Sequence, residues 1–391
     1  MKNVFLCAAK RTAIGSFAGG LSSVSATELG AHVLAQVVKS SGVDPEAINE
    51  VIMGCVLTAG LGQAPARQVA IKGGLPSSVQ AMTVNKVCSS GLKAVMLAAG
   101  TVELGHAQAV IAGGMESMSN APYLLPALRA GARLGNAAAE DSIIKDGLWE
   151  VYRNYHMGSA AELCARTYNF SREAQDAYAL SSYQRANEAI ARGYFQEEIV
   201  PMPVTLGKEV KEFSVDEEPG KCKPEKIPQL KPVFEKDGTV TAANASSIND
   251  GAAAMIVCSE EFLRTHQLKP LARVVSVGWH AQEPEWFTTA PVSAAKMALA
   301  KAGAKVSDID LFEINEAFSA VALACAKELT VEPDRLNIQG GAVALGHPIG
   351  ASGARILTTL LYALARLGRK KGLVAICNGG GEATAMMVER T

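Results

Sequence analysis

The sequence predicts an α/β fold with buried sheets. Short apolar runs bounded by glycine alternate with segments rich in alanine and leucine, and apolar strands joined by helical crossovers are typical of this class. The 391 residues, 49% of them hydrophobic and 19% charged, allow a large core and two or three domains. The predicted strands are residues 51–54, 109–112, 253–258 and 373–376, and the predicted helices are residues 28–40, 91–104, 294–302 and 351–367.

Composition argues against several function classes. A formal net charge of −1 gives no basic field for nucleic acid or a membrane surface. The eight cysteines include no C-x-x-C pair, so we expect neither a metal site nor a disulfide scaffold. The glycine pairs at 19–20 and 113–114 lack the spacing of a dinucleotide fingerprint. Residues 1–6 lack the features of a signal or transit peptide, so we expect a cytoplasmic protein.

Two segments of the chain are repeated. Residues 42–51 resemble residues 303–312, and residues 90–95 resemble residues 352–357. The offsets are 261 and 262 residues, so the two repeats keep register. Either match alone is compatible with chance, but two at nearly one offset favour two related halves with a long insertion between them.

The middle of the chain, residues 119–249, differs from both ends. It is rich in proline and holds most of a mixed-charge segment, residues 208–236, whose interleaved acids indicate a solvated face. One helix is predicted over residues 171–191, with Ser171 as its N-cap. Loop-rich insertions on a rigid scaffold commonly carry binding sites.

Cys88 is the first candidate for chemistry. It opens the run CSSGLKAV, where an extended segment turns into a helix. A helix N-terminus stabilises a thiolate, and the small residues that follow leave room for an acyl group and a backbone oxyanion site. The alternative is a buried cysteine packed as a small hydrophobe, which is the commoner role.

Three further residues have unusual surroundings. Cys377 precedes three glycines, which let a substrate approach the backbone, although a plain strand end is the alternative. His347 lies in the run GHPIG, and histidine is the usual proton-transfer partner of a nucleophilic cysteine, although a lone histidine is more often structural. Asn315 follows an apolar run, and locally we favour a helix cap there, with Glu316 in the first turn.

Five specific motifs are spread along the chain: NKVCSSG at 85–91, GGMESMS at 113–119, NEAF at 315–318, GGA through GHPIG at 340–350, and CNGGG at 377–381. By these motifs the chain resembles the thiolase family over effectively its whole length, most closely the members that form acetoacetyl-CoA. The resemblance implies an acyltransferase of ping-pong mechanism that interconverts two acetyl-CoA with acetoacetyl-CoA and coenzyme A. These molecules are then its partners, and no cofactor is implied.

The resemblance also implies residue roles. Cys88 would take the acetyl group as a thioester, and His347 would activate it. Cys377 would remove a proton from the methyl group of the second acetyl-CoA. Asn315 would hold a water that forms one oxyanion hole with His347, and the backbone N–H groups of Cys88 and Gly379 would form the other.

The family architecture is a five-layered α-β-α-β-α fold built from two similar halves, with an inserted loop domain that binds coenzyme A. On this chain it implies an N-terminal half over 1–118, completed by about 250–269, a loop domain over 119–249, and a C-terminal half over 270–391. A homotetramer is expected, since the acetoacetyl-CoA type is usually one. The residues implied to contact coenzyme A or to line the acyl tunnel are His156, Met157, Lys221, Phe234, Ala242, Ser246, Ile248, Ala317 and Phe318.

The chain departs from the family pattern at a few positions. Lys221 stands where many relatives have an arginine beside the adenine, and Glu225 replaces a nearby serine. Cys377-Asn378 resembles the potassium-responsive subtype, but Pro219 stands where that subtype has a loop tyrosine, so a monovalent-cation requirement stays open. The run WFTT at 286–289 falls near the acyl pocket of relatives, where it would alter chain-length preference.

Three alternatives stay open. A broad 3-ketoacyl-CoA thiolase of fatty-acid degradation is the nearest, although the bulk of His156 and Met157 favours short chains. A decarboxylating condensing enzyme would pair one cysteine with two histidines, or with histidine and asparagine, so the second cysteine argues against it. A non-catalytic acyl-CoA-binding protein would have no use for Cys88, His347, Asn315 and Cys377 together.

Overall fold

The computed structural model describes residues 3–206 and 209–391. The strands in this part of the chain are β1 Val4–Arg11, β2 Gly15–Ser16, β3 Glu50–Gly54, β4 Gln80–Val84, β5 Ala109–Ser117, β6 Tyr123–Leu124, β7 Glu140–Asp141, β8 Trp149–Glu150, β9 Tyr155–His156, β10 Met202–Leu206, β11 Glu209–Phe213, β12 Asn249–Ser259, β13 Pro270–Ala281, β14 Leu311–Ile314, β15 Lys371–Asn378 and β16 Glu382–Glu389. Ten of these form one mixed sheet in the order β14-β15-β16-β13-β1-β12-β5-β3-β4, with β2 on β12.

The helices confirm the predicted pattern. Each predicted strand and helix is present, and Ser171 caps its helix by accepting the N–H of Ala174. The helix predicted from residue 294 begins earlier, at Ala290, with Pro291 in its first turn, where a missing N–H costs nothing. The α-helices of the described residues are α1 Ala26–Ser41, α2 Pro65–Lys72, α3 Ser90–Glu103, α4 Met157–Tyr168, α5 Arg172–Ala191, α6 Glu260–Thr265, α7 Ala290–Ala302, α8 Ser319–Leu329, α9 Ala342–Leu345 and α10 Ser352–Arg366.

The large sheet consists of two halves with the same topology. They meet where β1 pairs antiparallel with β13. In the first half, β1 pairs antiparallel with β12, β12 pairs antiparallel with β5, and β5 pairs parallel with β3. In the second half, β13, β16, β15 and β14 pair in the same order and with the same directions. The outermost strand β4 has its counterpart in a single parallel bridge between Phe312 and Leu336. The prediction of two related halves is therefore confirmed.

The sequence repeats occupy equivalent places in these halves. Helices α1 and α7 both end at a glycine in the left-handed region, with φ of 70° at Gly42 and 63° at Gly303. In both halves a short 3₁₀ turn follows and leads into β3 or β14. Helices α3 and α10 both start at the serine of a Ser-Gly pair, Ser90 and Ser352. The repeats are thus the turn into a strand and the start of the central helix.

Three clusters of buried apolar side chains hold the five layers of the fold together. One cluster packs α1 and α2 against the first half of the sheet. A second packs α3 and α10 between the two halves of the sheet. The third packs α7 and α8 against the outer face of the second half. The order α-β-α-β-α puts α3 and α10 at the centre, where both are buried on nearly all sides.

The segment between β5 and β12 folds into α4, α5, short hairpins and loops. Arg11 of β1 ties this segment to the sheet through a buried ion pair to Glu198 at 2.6 Å and another to Asp216 at 2.7 Å. Lys208, the first residue of the predicted mixed-charge segment, lies outside the described residues, as do residues 1 and 2. None of the helices in the described ranges has both the length and the apolar character that crossing a bilayer requires.

The two central helices approach each other most closely at a pair of glycines. A Cβ on Gly91 would lie 2.9 Å from the backbone nitrogen of Ala354, and one on Gly353 would lie 2.4 Å from that of Leu92. Both obstacles are backbone atoms, which cannot rotate away as a side chain can. The N-termini of α3 and α10 therefore meet only because both positions lack a side chain.

Gly91 and Gly100 provide a matched test within α3. Gly91→Ala should lower the free energy of unfolding by about 1–3 kcal/mol, because the added methyl group overpacks the helix crossing. At Gly100 an added Cβ meets nothing within 4 Å, so Gly100→Ala should raise stability by about 1 kcal/mol through helix propensity. Urea denaturation of both variants measures these changes; equal effects at the two positions would contradict the close crossing.

Candidate active site

A cavity of about 500 Å³ opens at the N-termini of the central helices, beneath the inserted segment. Most of the residues predicted from the sequence to act on or contact substrate lie in its wall. Two predicted residues, Cys377 and Asn315, do not line this cavity but are buried behind it, at 0% and 1% exposure. The predicted residues in the wall are Cys88, His156, Met157, Lys221, Phe234, Ala242, Ser246, Ile248, Ala317, Phe318, His347 and Gly379.

Cys88 sits on a strained turn just before α3. The preceding Val87 has φ of 46°, a left-handed conformation that is unfavourable for a β-branched residue. Hydrogen bonds hold the turn: Val87 N–H donates to Asn85 Oδ1 at 3.0 Å, and the Ser90 hydroxyl donates to Val87 O at 2.6 Å. The strain is therefore held by local polar contacts, and it presents the Cys88 side chain to the cavity.

The Cys88 thiol is not ionised by the helix N-terminus, contrary to the sequence-based expectation. Burial raises the pKa of Cys88 to about 12, which outweighs the lowering by the backbone N–H groups of Cys88 and Gly379. The thiol therefore keeps its proton at neutral pH, and a base must remove it during reaction. The effect of Gly379 indicates that its N–H lies near the sulfur.

His347 is oriented by three contacts. The Ser352 hydroxyl donates to Pro348 O at 2.9 Å, so its oxygen must accept the hydrogen of His347 Nδ1 at 2.5 Å. This assigns the proton to Nδ1 and leaves Nε2 as an acceptor, which receives the Asn315 amide at 3.4 Å. The His347 backbone N–H donates to Asn249 Oδ1 at 2.9 Å.

His347 is in the neutral protonation state that a general base requires. Burial, together with the Arg355 guanidinium, lowers the pKa of His347 to about 3. The imidazole is therefore neutral at physiological pH, with an unprotonated Nε2. A neutral thiol and a neutral imidazole form the resting pair.

Asn315 is not a helix cap, so that expectation is wrong. Its N–H donates to Ala375 O at 3.0 Å, which extends the β14 pairing, and α8 begins only at Ser319. The Glu316 carboxylate instead accepts the Tyr178 and Ser182 hydroxyls, both at 2.8 Å, and fastens α5 to the core. Within the described residues, Asn315 Oδ1 is buried without a hydrogen-bond partner, which fits an ordered water there.

Cys377 is the penultimate residue of β15 and is fully buried. Burial raises its pKa well above the ordinary value, and the neighbouring Cys88 and Cys325 thiols add to the effect. The effect of the Cys88 thiol on the pKa of Cys377 indicates that the two side chains are neighbours. The three glycines after Cys377 include Gly380 and Gly381 at φ of 86° and 78°, which turn the chain back into β16.

Sequence reasoning missed three supporting residues, Ser352, Asn249 and Glu116. The Glu116 carboxylate accepts the N–H groups of Val56, Leu57 and Gly350 at 2.9–3.1 Å, and so holds the loop that carries His347. Glu116 belongs to the motif GGMESMS at 113–119, but the sequence assigned it no role. Its partners are backbone groups, which leave no mark on the sequence.

Aromatic rings narrow the cavity. His156 stacks on Phe234 at 4.7 Å between ring centroids, and Phe318 meets Phe234 edge-on at 6.0 Å. Phe287, from the run that departs from the family, reaches Phe318 at 6.3 Å and lines the cavity. Its neighbour Trp286 lines a separate surface depression instead.

At the mouth, Lys221 is half-exposed, hydrogen-bonded to Ser16 and 3.9 Å from Glu218. Pro219 opens the short 3₁₀ helix that carries Lys221. The adenine contact expected of Lys221 stays a prediction.

Comparison with known proteins agrees with the motifs. The family model "Thiolase, N-terminal domain" matches residues 4–261, and "Thiolase, C-terminal domain" matches residues 268–390. The chain is 51% identical over 389 residues to an acetyl-CoA acetyltransferase of Chromobacterium violaceum, covering 99% of both chains. It is 50% identical to an acetyl-CoA acetyltransferase of Cupriavidus necator, covering all of both. A Gibberella zeae relative named as cytosolic acetyl-CoA acetyltransferase ERG10 is 48% identical, covering 99% of this chain and 98% of its own.

The hydrogen bond from His347 to Ser352 can be tested without substrate. Ser352→Ala should slow alkylation of Cys88 by iodoacetamide at pH 7 about five- to tenfold, because loss of about 1 kcal/mol of hydrogen bonding frees the imidazole to rotate. Thr358→Ala is the control: it removes another buried hydroxyl of α10, which donates to Ala354 O. Equal slowing in both variants would mean that Ser352 acts only through helix stability.

Proposed function

Because the chain belongs to the thiolase family, we propose that it is an acetyl-CoA C-acetyltransferase, which reversibly condenses two acetyl-CoA to acetoacetyl-CoA and coenzyme A. Its relatives of that name match essentially the whole chain. The observation that carries the proposal is one cavity lined by Cys88, His347 and Gly379, with Cys377 and Asn315 directly behind.

In the first half-reaction His347 Nε2 takes the proton of Cys88 while the sulfur attacks the thioester carbonyl of acetyl-CoA. The bond between that carbonyl and the sulfur of coenzyme A breaks, and the departing thiolate takes a proton from Cys377. This leaves acetyl-Cys88, an imidazolium and a Cys377 thiolate. The raised pKa of Cys88, which is partly buried, makes proton removal favourable only together with attack, and this limits side reactions of the free enzyme.

In the second half-reaction the Cys377 thiolate removes a methyl proton from a new acetyl-CoA. The carbanion attacks the acetyl carbonyl, and the new carbon–carbon bond forms as the bond to Cys88 sulfur breaks. Cys88 then recovers its proton from the imidazolium, so the resting state is restored. A deep, buried thiolate is a strong base, which suits a weakly acidic methyl group.

Negative charge develops twice on oxygen and needs donors each time. The backbone N–H groups of Cys88 and Gly379 both lower the pKa of the Cys88 thiol, so they point toward its sulfur. There they would donate hydrogen bonds to the oxyanion of the tetrahedral intermediate. A water molecule that donates one hydrogen bond to Asn315 Oδ1 would donate its other hydrogen to the enolate oxygen of the second substrate. The His347 imidazolium would donate to the same oxygen. Preorganised donors of this kind are usually the largest single contribution to catalysis.

The inserted segment supplies the binding surface for the pantetheine arm. Ser246 donates its hydroxyl to Ala317 O at 2.9 Å, so the arm would meet its oxygen as an acceptor. Ala242, Ile248, Ala317 and Phe318 form the apolar wall alongside. We accordingly assign coenzyme A binding to residues 119–249, between thiolase halves of 1–118 with about 250–269 and of 270–391.

We further propose a cytoplasmic homotetramer that acts in fatty acid metabolism. The cytosolic relative supports the location. A broad 3-ketoacyl-CoA thiolase is the weaker candidate, because Met157 and Phe287 close the cavity around the reacting groups.

Acyl-chain preference tests this choice. Wild type should cleave acetoacetyl-CoA much faster than six-carbon and longer 3-ketoacyl-CoA. Met157→Ala should raise relative activity on the six-carbon substrate about tenfold, since Met157 lies beside Gly379 in the wall. Val233→Ala at the exposed end of the cavity is the control and should leave the preference unchanged. A flat chain-length profile in wild type would favour the broad enzyme.

The two cysteines should fail at different steps. Cys88→Ala should give neither acetylation by acetyl-CoA nor turnover. Cys377→Ala should accept one acetyl group, seen as a mass increase on Cys88, yet lose carbon–carbon bond formation by at least about a thousandfold. Cys222→Ala, which removes a half-exposed thiol outside this cavity, is the control. An inability of Cys377→Ala to acetylate would contradict the assigned role.

A further inference from the structure

The glycine turn, residues 379–381, joins β15 to β16 and is the part of the site with the most backbone freedom. Three consecutive glycines do not by themselves fix the direction of their N–H groups. A group that donates to an oxyanion must nevertheless be held in place before reaction, because a misplacement of about 1 Å can cost about a hundredfold in rate. Contacts with the rest of the protein therefore have to hold Gly379.

One such contact lies in the buried interior, on the β15 side of the glycine turn. Ser89, which directly follows Cys88, donates its hydroxyl to Ile376 O at 3.2 Å. Ile376 directly precedes Cys377 in β15. This hydrogen bond joins the Cys88 turn, residues 86–89, to the last residues of the strand. It fixes one side of the glycine turn only.

An ion pair lies on the other side. Lys86, two residues before Cys88, contacts Glu382 at 2.5 Å between Nζ and Oε2, and Glu382 is the first residue of β16. The two side chains are 22% and 37% exposed, so solvent and salt screen this pair less than a fully exposed one. The Cys88 turn and the glycine turn are thus joined on both sides, with Cys88 and Gly379 between the two contacts.

Asn378 extends the ion pair to the glycine turn. Its side-chain amide donates to Glu382 Oε2 at 3.3 Å and to Gly379 O at 2.9 Å. Asn378 and Glu382 also face each other where β15 pairs with β16, so these bonds close the base of the turn. Direct contacts therefore run from Lys86 through Glu382 and Asn378 to Gly379.

Gly379 in turn packs against the Cys88 turn. A Cβ on Gly379 would lie 3.8 Å from Cγ1 of Val87, which is ordinary contact distance, and Gly379 and Cys88 line the same cavity. Lys86 and Glu382 line a separate depression of about 150 Å³. The ion pair is therefore placed to act on substrate through Gly379 rather than by touching substrate itself.

We propose that Lys86 and Glu382 are positioning residues, whose ion pair holds the N–H of Gly379 beside the Cys88 sulfur, where an acyl oxyanion forms. This inference deepens the proposed function and rests on it in one respect, that the N–H of Gly379 stabilises the oxyanion when Cys88 is acylated.

The test compares two reactions of Cys88 at neutral pH, each followed by mass spectrometry of the peptide that contains Cys88. With p-nitrophenyl acetate, the sulfur bonds to the carbonyl carbon through a tetrahedral oxyanion, p-nitrophenolate leaves, and the thiol proton goes to His347. With iodoacetamide, the sulfur displaces iodide and no oxyanion forms, while the proton takes the same path. The ratio of the acetylation rate to the alkylation rate therefore isolates the contribution of the oxyanion donors.

Lys86→Met should lower this ratio about tenfold, since loss of a whole oxyanion donor costs about 10²–10³ and the variant only displaces one. Glu382→Gln should have a similar effect. The double variant should lower the ratio no further than either single variant, because the two residues act as one unit. Lys86→Arg keeps the charge and should retain most of the wild-type ratio.

Arg273→Met is the matched control. It removes an ion pair to Glu389 at the other end of β16, at 2.8 Å and with 35% and 32% exposure, and it should leave the ratio unchanged. Equal slowing of both reactions in Lys86→Met, with an unchanged ratio, would reduce Lys86 to a structural role and overturn the proposal. Additive losses in the double variant would overturn it as well, and so would a wild-type Cys88 that iodoacetamide alkylates but p-nitrophenyl acetate does not acetylate.

Failure of the inference and failure of the proposed function give different results. Neither reagent contains coenzyme A, so the ratio is measured whether or not the protein condenses acetyl groups. A wild type that shows the expected ratios but forms no acetyl-Cys88 from acetyl-CoA would reject the function alone. A wild type that acetylates from acetyl-CoA, with an unchanged ratio in Lys86→Met, would reject the inference alone.

Discussion

The site depends on the close crossing of α3 and α10. At Gly91 and Gly353 the backbones of the two helices lie so close together that no side-chain methyl group would fit between them. Cys88 lies two residues before α3, and His347 lies five residues before α10. The crossing therefore brings a thiol from one half of the chain and an imidazole from the other to the same cavity.

Next to this crossing His347 is buried and Cys88 is partly buried in the cavity wall, and loss of water governs the chemistry of both groups. Removing water raises the pKa of a thiol and lowers that of an imidazole, so both are neutral at rest. A helix N-terminus near Cys88 is too weak to reverse this. In the proposed reaction, charge separation would become favourable only when a thioester carbonyl accepts electrons beside the N–H groups of Cys88 and Gly379.

Much of the support for this pair is polar and buried. Ser352 selects the tautomer of His347, and Glu116 gathers three backbone N–H groups to hold its loop. The Arg355 guanidinium adds to the effect of burial in lowering the pKa of His347. These residues fix the position and the protonation state of the His347 imidazole and take no part in making bonds. The motif around Cys88 therefore gives no indication of them.

The sequence by itself determined the α/β class and the duplicated halves, and it singled out Cys88, His347, Asn315 and Cys377 as candidates, because glycine-bounded apolar runs, a constant offset and rare local motifs are all visible along one chain. Only the tertiary structure decided that Asn315 extends the pairing of a strand rather than capping a helix, that Cys88 rests as a thiol, and that Ser352 and Glu116 support His347 and its loop. These properties arise from burial and from contacts between distant segments, and desolvation depends on everything packed around a group rather than on its neighbours in sequence.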